Sequence, residues 1–114
     1  MQLYYIISLK HTSKGDAALT FWCANECGYT WNKSKAGLYT SEEIIGIVSS
    51  DNVAVEAEKV DPFWMNALDF EDKYISVPNN ATVRNALGLS DKQMKPKRTA
   101  SCRMTFLNTP INLT

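Results

Sequence analysis

The sequence predicts an α+β fold: a single domain over residues 1–114 with an antiparallel sheet, an N-terminal β-hairpin and two or three short helices. Short runs rich in β-branched and aromatic residues recur between clusters of turn formers, which is how strands are punctuated. Helix starts with capping signals stand at Thr40 and at Asp61-Pro62. No internal repeat, low-complexity tract or composition break divides the 114 residues, a length that suits one domain with a real core.

The first strand is Tyr4-Tyr5-Ile6-Ile7-Ser8-Leu9, apolar except at Ser8, so both faces are expected to meet protein and the strand to be central. Lys10 to Asp16 reads as a hairpin connection, with Gly15 available for a positive φ, and Ala18 to Cys23 as the antiparallel return strand. Asn25-Glu26-Cys27-Gly28 is a turn, Tyr29-Thr30-Trp31 a short strand, and Ala36-Gly37 closes a loop. Thr40 with Glu43 three residues on forms a capping box, and Ile44, Ile45, Ile47 and Val48 would give that helix its buried face. Val53 to Val60 opens with strict alternation and predicts a strand with one wet face.

Asp61-Pro62 predicts a short apolar helix through Phe63, Trp64, Met65, Ala67 and Leu68. Tyr74 to Val77 predicts a strand, and Thr82 to Leu87 a helix stopped by Gly88. Ser90 with Gln93 suggests one further helical turn before Pro96. Cys102 to Leu107 is expected as the last strand, with a loose end from Pro110 onward.

Twelve basic and twelve acidic side chains cancel, so net charge selects no partner, but their placement is uneven. Residues 1–40 carry Lys10, Lys14, Lys33 and Lys35 against Asp16 and Glu26. Residues 41–72 carry nine acids against Lys59 alone, and residues 73–114 carry seven bases against Asp91. No apolar run reaches the ~20 residues of a membrane helix, and the start of the chain lacks the basic stretch of a signal peptide. The expectation is a cytoplasmic protein with reduced cysteines and no membrane contact.

Several chemistries are compatible with parts of this pattern. Cys23 and Cys27 have a spacing used by zinc sites, and Cys102 with His11 would complete a set of four, although a buried cysteine is more often a small hydrophobe. A cysteine with His11 as base is the minimum for nucleophilic catalysis, but a turn histidine is ordinarily just exposed. The glycines form no phosphate-binding pattern, and nothing calls for a cofactor. Lys95, Lys97, Arg98 and Arg103 make a basic segment that could neutralise phosphates, or simply solvate itself. Glu56, Glu58, Asp61, Asp69, Glu71 and Asp72 around Phe63 and Trp64 have the composition of an interface anchor with a charged rim, although aromatics fill cores as well.

The run Tyr5 to Thr12, then Leu19-Thr20-Phe21-Trp22, Gly28-Tyr29, Ala36-Gly37, Tyr39 and Val53-Ala54-Val55, resembles a family of small bacteriophage and prophage accessory proteins. The resemblance covers roughly the first half of the chain and carries no catalytic residue. It implies a viral protein acting in the host bacterial cytoplasm, by binding a host protein or complex, defence machinery included. The sequence therefore predicts a non-enzymatic phage-encoded protein that inhibits or redirects a host complex, with the acidic segment, Phe63 and Trp64 as its contact surface. A nucleic-acid-binding protein using the basic segment is the first alternative, and a zinc- or Cys/His-dependent protein the second.

Overall fold

In the computed structural model, residues 1–69, 71–89 and 104–110 are described. The first strand, β1 (Leu3–Ser8), is the centre of a five-stranded antiparallel sheet. One of its edges pairs along five residues with β5 (Asn52–Glu56), from Tyr4 opposite Glu56 to Ser8 opposite Asn52. The other edge is shared: β4 (Tyr39–Thr40) covers its start and β2 (Phe21–Trp22) its end, with β3 (Tyr29–Thr30) outside β2. Ile6 and Ile7 point to opposite faces and both are fully buried, as the two-sided apolar run predicted.

β1 and β2 form the expected antiparallel hairpin, but the ladder on β2 is short because Ala18 and Leu19 pair elsewhere. Ala18 bridges to Pro78, and the Leu19 N–H donates to the Val77 carbonyl at 3.0 Å. Gly15 takes no positive φ; the loop closes instead on Asp16, whose buried carboxylate accepts the Ser13 N–H at 2.9 Å. Asn79 then donates its side-chain amide to the carbonyls of Ser13 and Asp16, both at 2.9 Å, and pins the loop.

Helix α1 (Ser41–Ile45) has the predicted reciprocal capping box between Thr40 and Glu43, but not the predicted apolar packing. It buries none of its residues, and Ile45 and Val48 stand 81% and 47% exposed. Gly46 ends it after barely more than a turn, so the four apolar residues never line up on one face. The alternation that opens β5 stops at Glu56, and Ala57–Val60 winds into α2 instead of continuing the strand.

The expected helix through Leu68 is replaced by a strand. Asp61–Phe63 makes a single 3-10 turn with proline at its start, after which Trp64 is extended and β6 (Met65–Asp69) begins. β6 gains two partners, β7 (Asp72–Ser76) on one side and β8 (Thr105–Pro110) on the other, and this pairing outweighs a weak local helical signal. The strands thus divide between two sheets, and Pro110, expected to be loose, lies opposite Met65 in the second. Helix α3 (Ala81–Ala86) starts on the Asn80 side chain, which accepts the Val83 N–H at 2.9 Å. It ends as predicted on Gly88 at φ 76°, with Leu89 N–H bonded to the Arg84 carbonyl and Gly88 N–H to that of Asn85, a Schellman stop. The Ser90 helical turn, the basic run Lys95-Pro96-Lys97-Arg98, Cys102 and Arg103 lie outside the described residues.

The main core is organised by three rings. Tyr5, Phe21 and Trp64 meet pairwise with centroids 5.0 to 5.7 Å apart, two of the pairs edge to face. Val55, Val60, Val77, Val83, Leu87 and Leu89 close around them. A smaller cluster of Ala18, Ala67 and Met104 lies with the second sheet, and Trp31, Tyr74 and Phe106 pack on it.

The Tyr5 hydroxyl donates to Asp61 Oδ1 at 3.3 Å. Burial, then the neighbouring Asp61 charge, pushes the phenol from 10.0 up to about 12. Because the folded value lies above the unfolded one, this contribution to stability is complete below pH 10. It is lost as pH rises from 10 toward 12, by about 2 kcal/mol. Urea midpoints measured between pH 9 and 12 should show this decline, and Tyr5→Phe should flatten it while lowering the midpoint at pH 8. Tyr39, also raised by burial, adds a slope of the same sign.

Candidate functional site

A hydrogen-bonded chain of four segments frames an open cleft at the junction of the two sheets. The His11 N–H donates to Ser8 Oγ at 3.1 Å, and the His11 carbonyl accepts from the Thr20 hydroxyl at 3.2 Å. Thr20 Oγ1 in turn accepts the Trp31 indole N–H at 3.0 Å, and the Trp31 carbonyl accepts from Ser76 Oγ at 2.8 Å. Thr20 and Ser76 are buried, so these bonds hold His11 and Trp31 in place without competition from solvent.

The cleft has a volume of about 520 Å³. Its walls are aromatic: His11, Tyr29, Trp31 and, from the second sheet, Tyr74. Among the described residues Lys35 supplies the one cation of its lining, and Thr20 and Thr30 complete it. Among the described residues its lining holds no carboxylate and no thiol. His11 and Tyr29 lie ring to ring at 4.1 Å, tilted by 49°, and Trp22 meets Tyr29 edge-on at 6.2 Å. Tyr29 is 49% exposed, so it stands as a ridge with its ring open to solvent.

The segment that delivers Tyr29 is unusual. Asn25 and Glu26 both have left-handed backbones, at φ 59° and 57°, and Gly28 follows at 105°. Two consecutive non-glycine residues in that region cost free energy and persist only where their surroundings hold them. The buried Tyr39 hydroxyl does this, donating to the Cys23 carbonyl and accepting the Glu26 N–H at 3.0 Å. Cys23 N–H closes the turn on the Gly28 carbonyl at 2.8 Å. On the far side of the cleft, Asn32 to Ala36 is a tight turn tied to β7 by the Lys33 N–H and the Ile75 carbonyl, 2.8 Å apart. Lys33 itself folds back over the Trp64 ring at 5.9 Å, so of the two lysines of this turn it is Lys35 that lines the cleft.

The acidic surface predicted from the sequence is not assembled as one face. Trp64 is 1% exposed and is a core ring, so it cannot meet a partner. Phe63 is half-buried against the same core. Asp61 serves the interior, accepting the Trp64 indole N–H at 3.1 Å as well as the Tyr5 hydroxyl. Glu56 is half-buried beside Tyr4 at the end of β5, and Glu58 is exposed on α2. Asp69, Glu71 and Asp72 belong to the β6–β7 hairpin end, separated from Asp61 by the length of β6, roughly 13 Å. Of the expected contact residues, Glu58, Glu71 and Asp72 are exposed and Glu56 and Asp69 partly so.

His11 was read as an exposed turn residue, and the structure adds that its ring is a wall of the cleft. Cys23 is half-buried and Cys27 exposed, both as free thiols, and neither lines the cleft. Among the described residues no three His, Cys, Asp or Glu side chains stand close enough to hold a metal ion. No helix of the described residues is long and apolar enough to cross a membrane. Tyr29, Trp31 and Lys35 are not among the expected site residues, and their one signal is the density of aromatic and special residues between Asn25 and Tyr39. Tyr74 lies outside that stretch and stands in the sequence only as an aromatic that could stack bases beside the basic segment. No family model, no curated protein and no solved structure matches this chain.

Proposed function

We propose that this chain is a non-catalytic binding protein whose recognition surface is the aromatic cleft. The observation that carries this reading is the gathering of His11, Tyr29, Trp31 and Tyr74 around an open cleft, with Trp31 and the His11 backbone tied to the buried Thr20 and Ser76. Rings fixed in this way offer large contact area at little entropic cost. The cleft's chemistry favours recognition over reaction: among the described residues its imidazole has no carboxylate or thiol beside it in the lining, and Thr20 Oγ1 is already used as donor and acceptor.

The setting we propose with it is a phage accessory protein that occupies a host complex in the bacterial cytoplasm. Its support is the resemblance of the first half of the chain, some of whose motif residues build the cleft. His11, Gly28-Tyr29, Ala36-Gly37 and Tyr39 either line it or hold the turn that shapes it.

The test separates the cleft from the acidic surface. Tagged protein is passed over bacterial lysate, and retained proteins, nucleic acids and small molecules are all identified. Tyr29→Ala and Lys35→Glu, both at exposed positions, should lose the retained component while keeping the fold. Glu58→Lys with Glu71→Lys and Asp72→Lys should keep it. The reverse pattern would return the contact surface to the acids and overturn the proposal.

A further inference from the structure

The cleft's chemistry narrows what it can hold, on the reading that it is the recognition surface. Aromatic rings make up most of its lining, which suits an occupant with a flat face to stack: Tyr29 is half exposed beside His11, and the Trp31 N–H is already spent on Thr20. Directional polar groups are few. Thr20 is used in both directions, and Thr30 Oγ1 already accepts the Asn32 N–H at 3.0 Å. A ligand read by an array of hydroxyl contacts, such as a sugar, would find no carboxylate or amide side chain among the described residues of this lining.

Charge narrows it further. Among the described residues Lys35 is the cation of the lining, and the His11 loop adds Lys10 and Lys14, both exposed. Asp16, an acid of that same loop, is buried and turned onto the Ser13 N–H. A flat ring joined to an anion, recognised by stacking and one ammonium, is the chemistry of a nucleotide. The volume, about 520 Å³, falls in the range of small-ligand sites, roughly 300–1,000 Å³.

We propose that the cleft binds a nucleotide unit, its base stacked on Tyr29 beside His11 and its phosphate at Lys35. That unit is either a free nucleotide or one residue of a single-stranded nucleic acid, since both present the same base and phosphate.

Tryptophan fluorescence of the purified full chain, titrated at low salt, tests this with four probes. These are nucleoside 5′-monophosphates, the corresponding nucleosides, ribose 5-phosphate, and single-stranded eight-residue oligonucleotides. Saturable quenching by the monophosphates or the oligonucleotides is expected, with nucleosides weaker and ribose 5-phosphate silent. Equal affinity per site for monophosphate and oligonucleotide identifies the free nucleotide as the source, and binding of oligonucleotides alone identifies the strand. Tyr29→Ala should weaken binding roughly tenfold or more, and Lys35→Glu should remove most of its salt dependence. Circular dichroism of both variants confirms that the fold is kept.

No saturable response to the monophosphates or to the oligonucleotides overturns the proposal. So does binding that survives both cleft variants and is lost on changing Lys95, Lys97 and Arg98 to glutamate. If nucleotides fail while Tyr29→Ala still abolishes lysate capture, the cleft remains the recognition surface and only the ligand class is wrong. If neither variant changes anything, both readings fall.

Discussion

Trp64→Ala should lower the free energy of unfolding by about 4 kcal/mol, a large part of the 5 to 15 kcal/mol that holds an ordinary domain together. The indole is 1% exposed and touches both Tyr5 and Phe21, so its removal empties the centre of the main core. A second cost falls on Asp61, which loses one of its two donors and keeps only the Tyr5 hydroxyl at 3.3 Å. Trp64→Phe separates the two effects, because it refills most of the volume and loses only the indole N–H; it should cost about 1 to 2 kcal/mol. Urea midpoints of the two variants, with near-ultraviolet circular dichroism for core packing, give the comparison. A Trp64→Ala midpoint equal to that of the parent chain would place the ring at the surface and refute the core assignment. The same reasoning applies to Asp61→Lys, which would replace the acceptor of the Tyr5 and Trp64 donors with a cation at a half-buried position and should lower the urea midpoint as well as alter a contact face.

The features that could be read from sequence are those fixed within a few residues. The Thr40–Glu43 capping box, the Gly88 stop and the proline at the start of the Asp61 turn all depend on neighbours along the chain, and all are present. β1 was legible as a central strand because burial of both faces leaves a continuous apolar run. Met65–Asp69 was not, since its strand conformation comes from β7 and β8, which lie further along the chain and reward it only after pairing. Trp64 was ambiguous for a different reason: aromatic residues flanked by acids suit an interface and a core equally well. The local clue was Asp61, three residues away, placed to accept the indole N–H. The cleft was the least legible feature of all. Its walls come from the His11 loop, β3 with the residue after it, and β7, and no spacing rule links such positions.

Gly37→Ala should cost about 1 to 3 kcal/mol and also take ligand recognition with it. A Cβ at Gly37 would stand 2.7 Å from both the Cα and the N of Ala24, and 2.9 Å from the Cys23 carbonyl carbon. All three are backbone atoms of the strained turn, so no rotamer change can relieve the contact. One of the two chain segments has to move. The Gly37 N–H bond to the Trp22 carbonyl, at 2.9 Å, and the Cys23–Ala36 bridge resist that movement from one side. The Tyr39 clamp on Cys23 and Glu26 resists it from the other. What yields is the pair of left-handed residues, Asn25 and Glu26, and with them the position of Tyr29 at the start of β3. The variant should therefore show a lowered urea midpoint together with loss of the cleft's binding, whereas Tyr29→Ala loses binding at an unchanged midpoint. Because the contact is with the Ala24 main chain, adding Ala24→Gly should restore neither property. Recovery in that double variant would mean the clash lies with the Ala24 side chain, and the close backbone passage described for this turn would be incorrect.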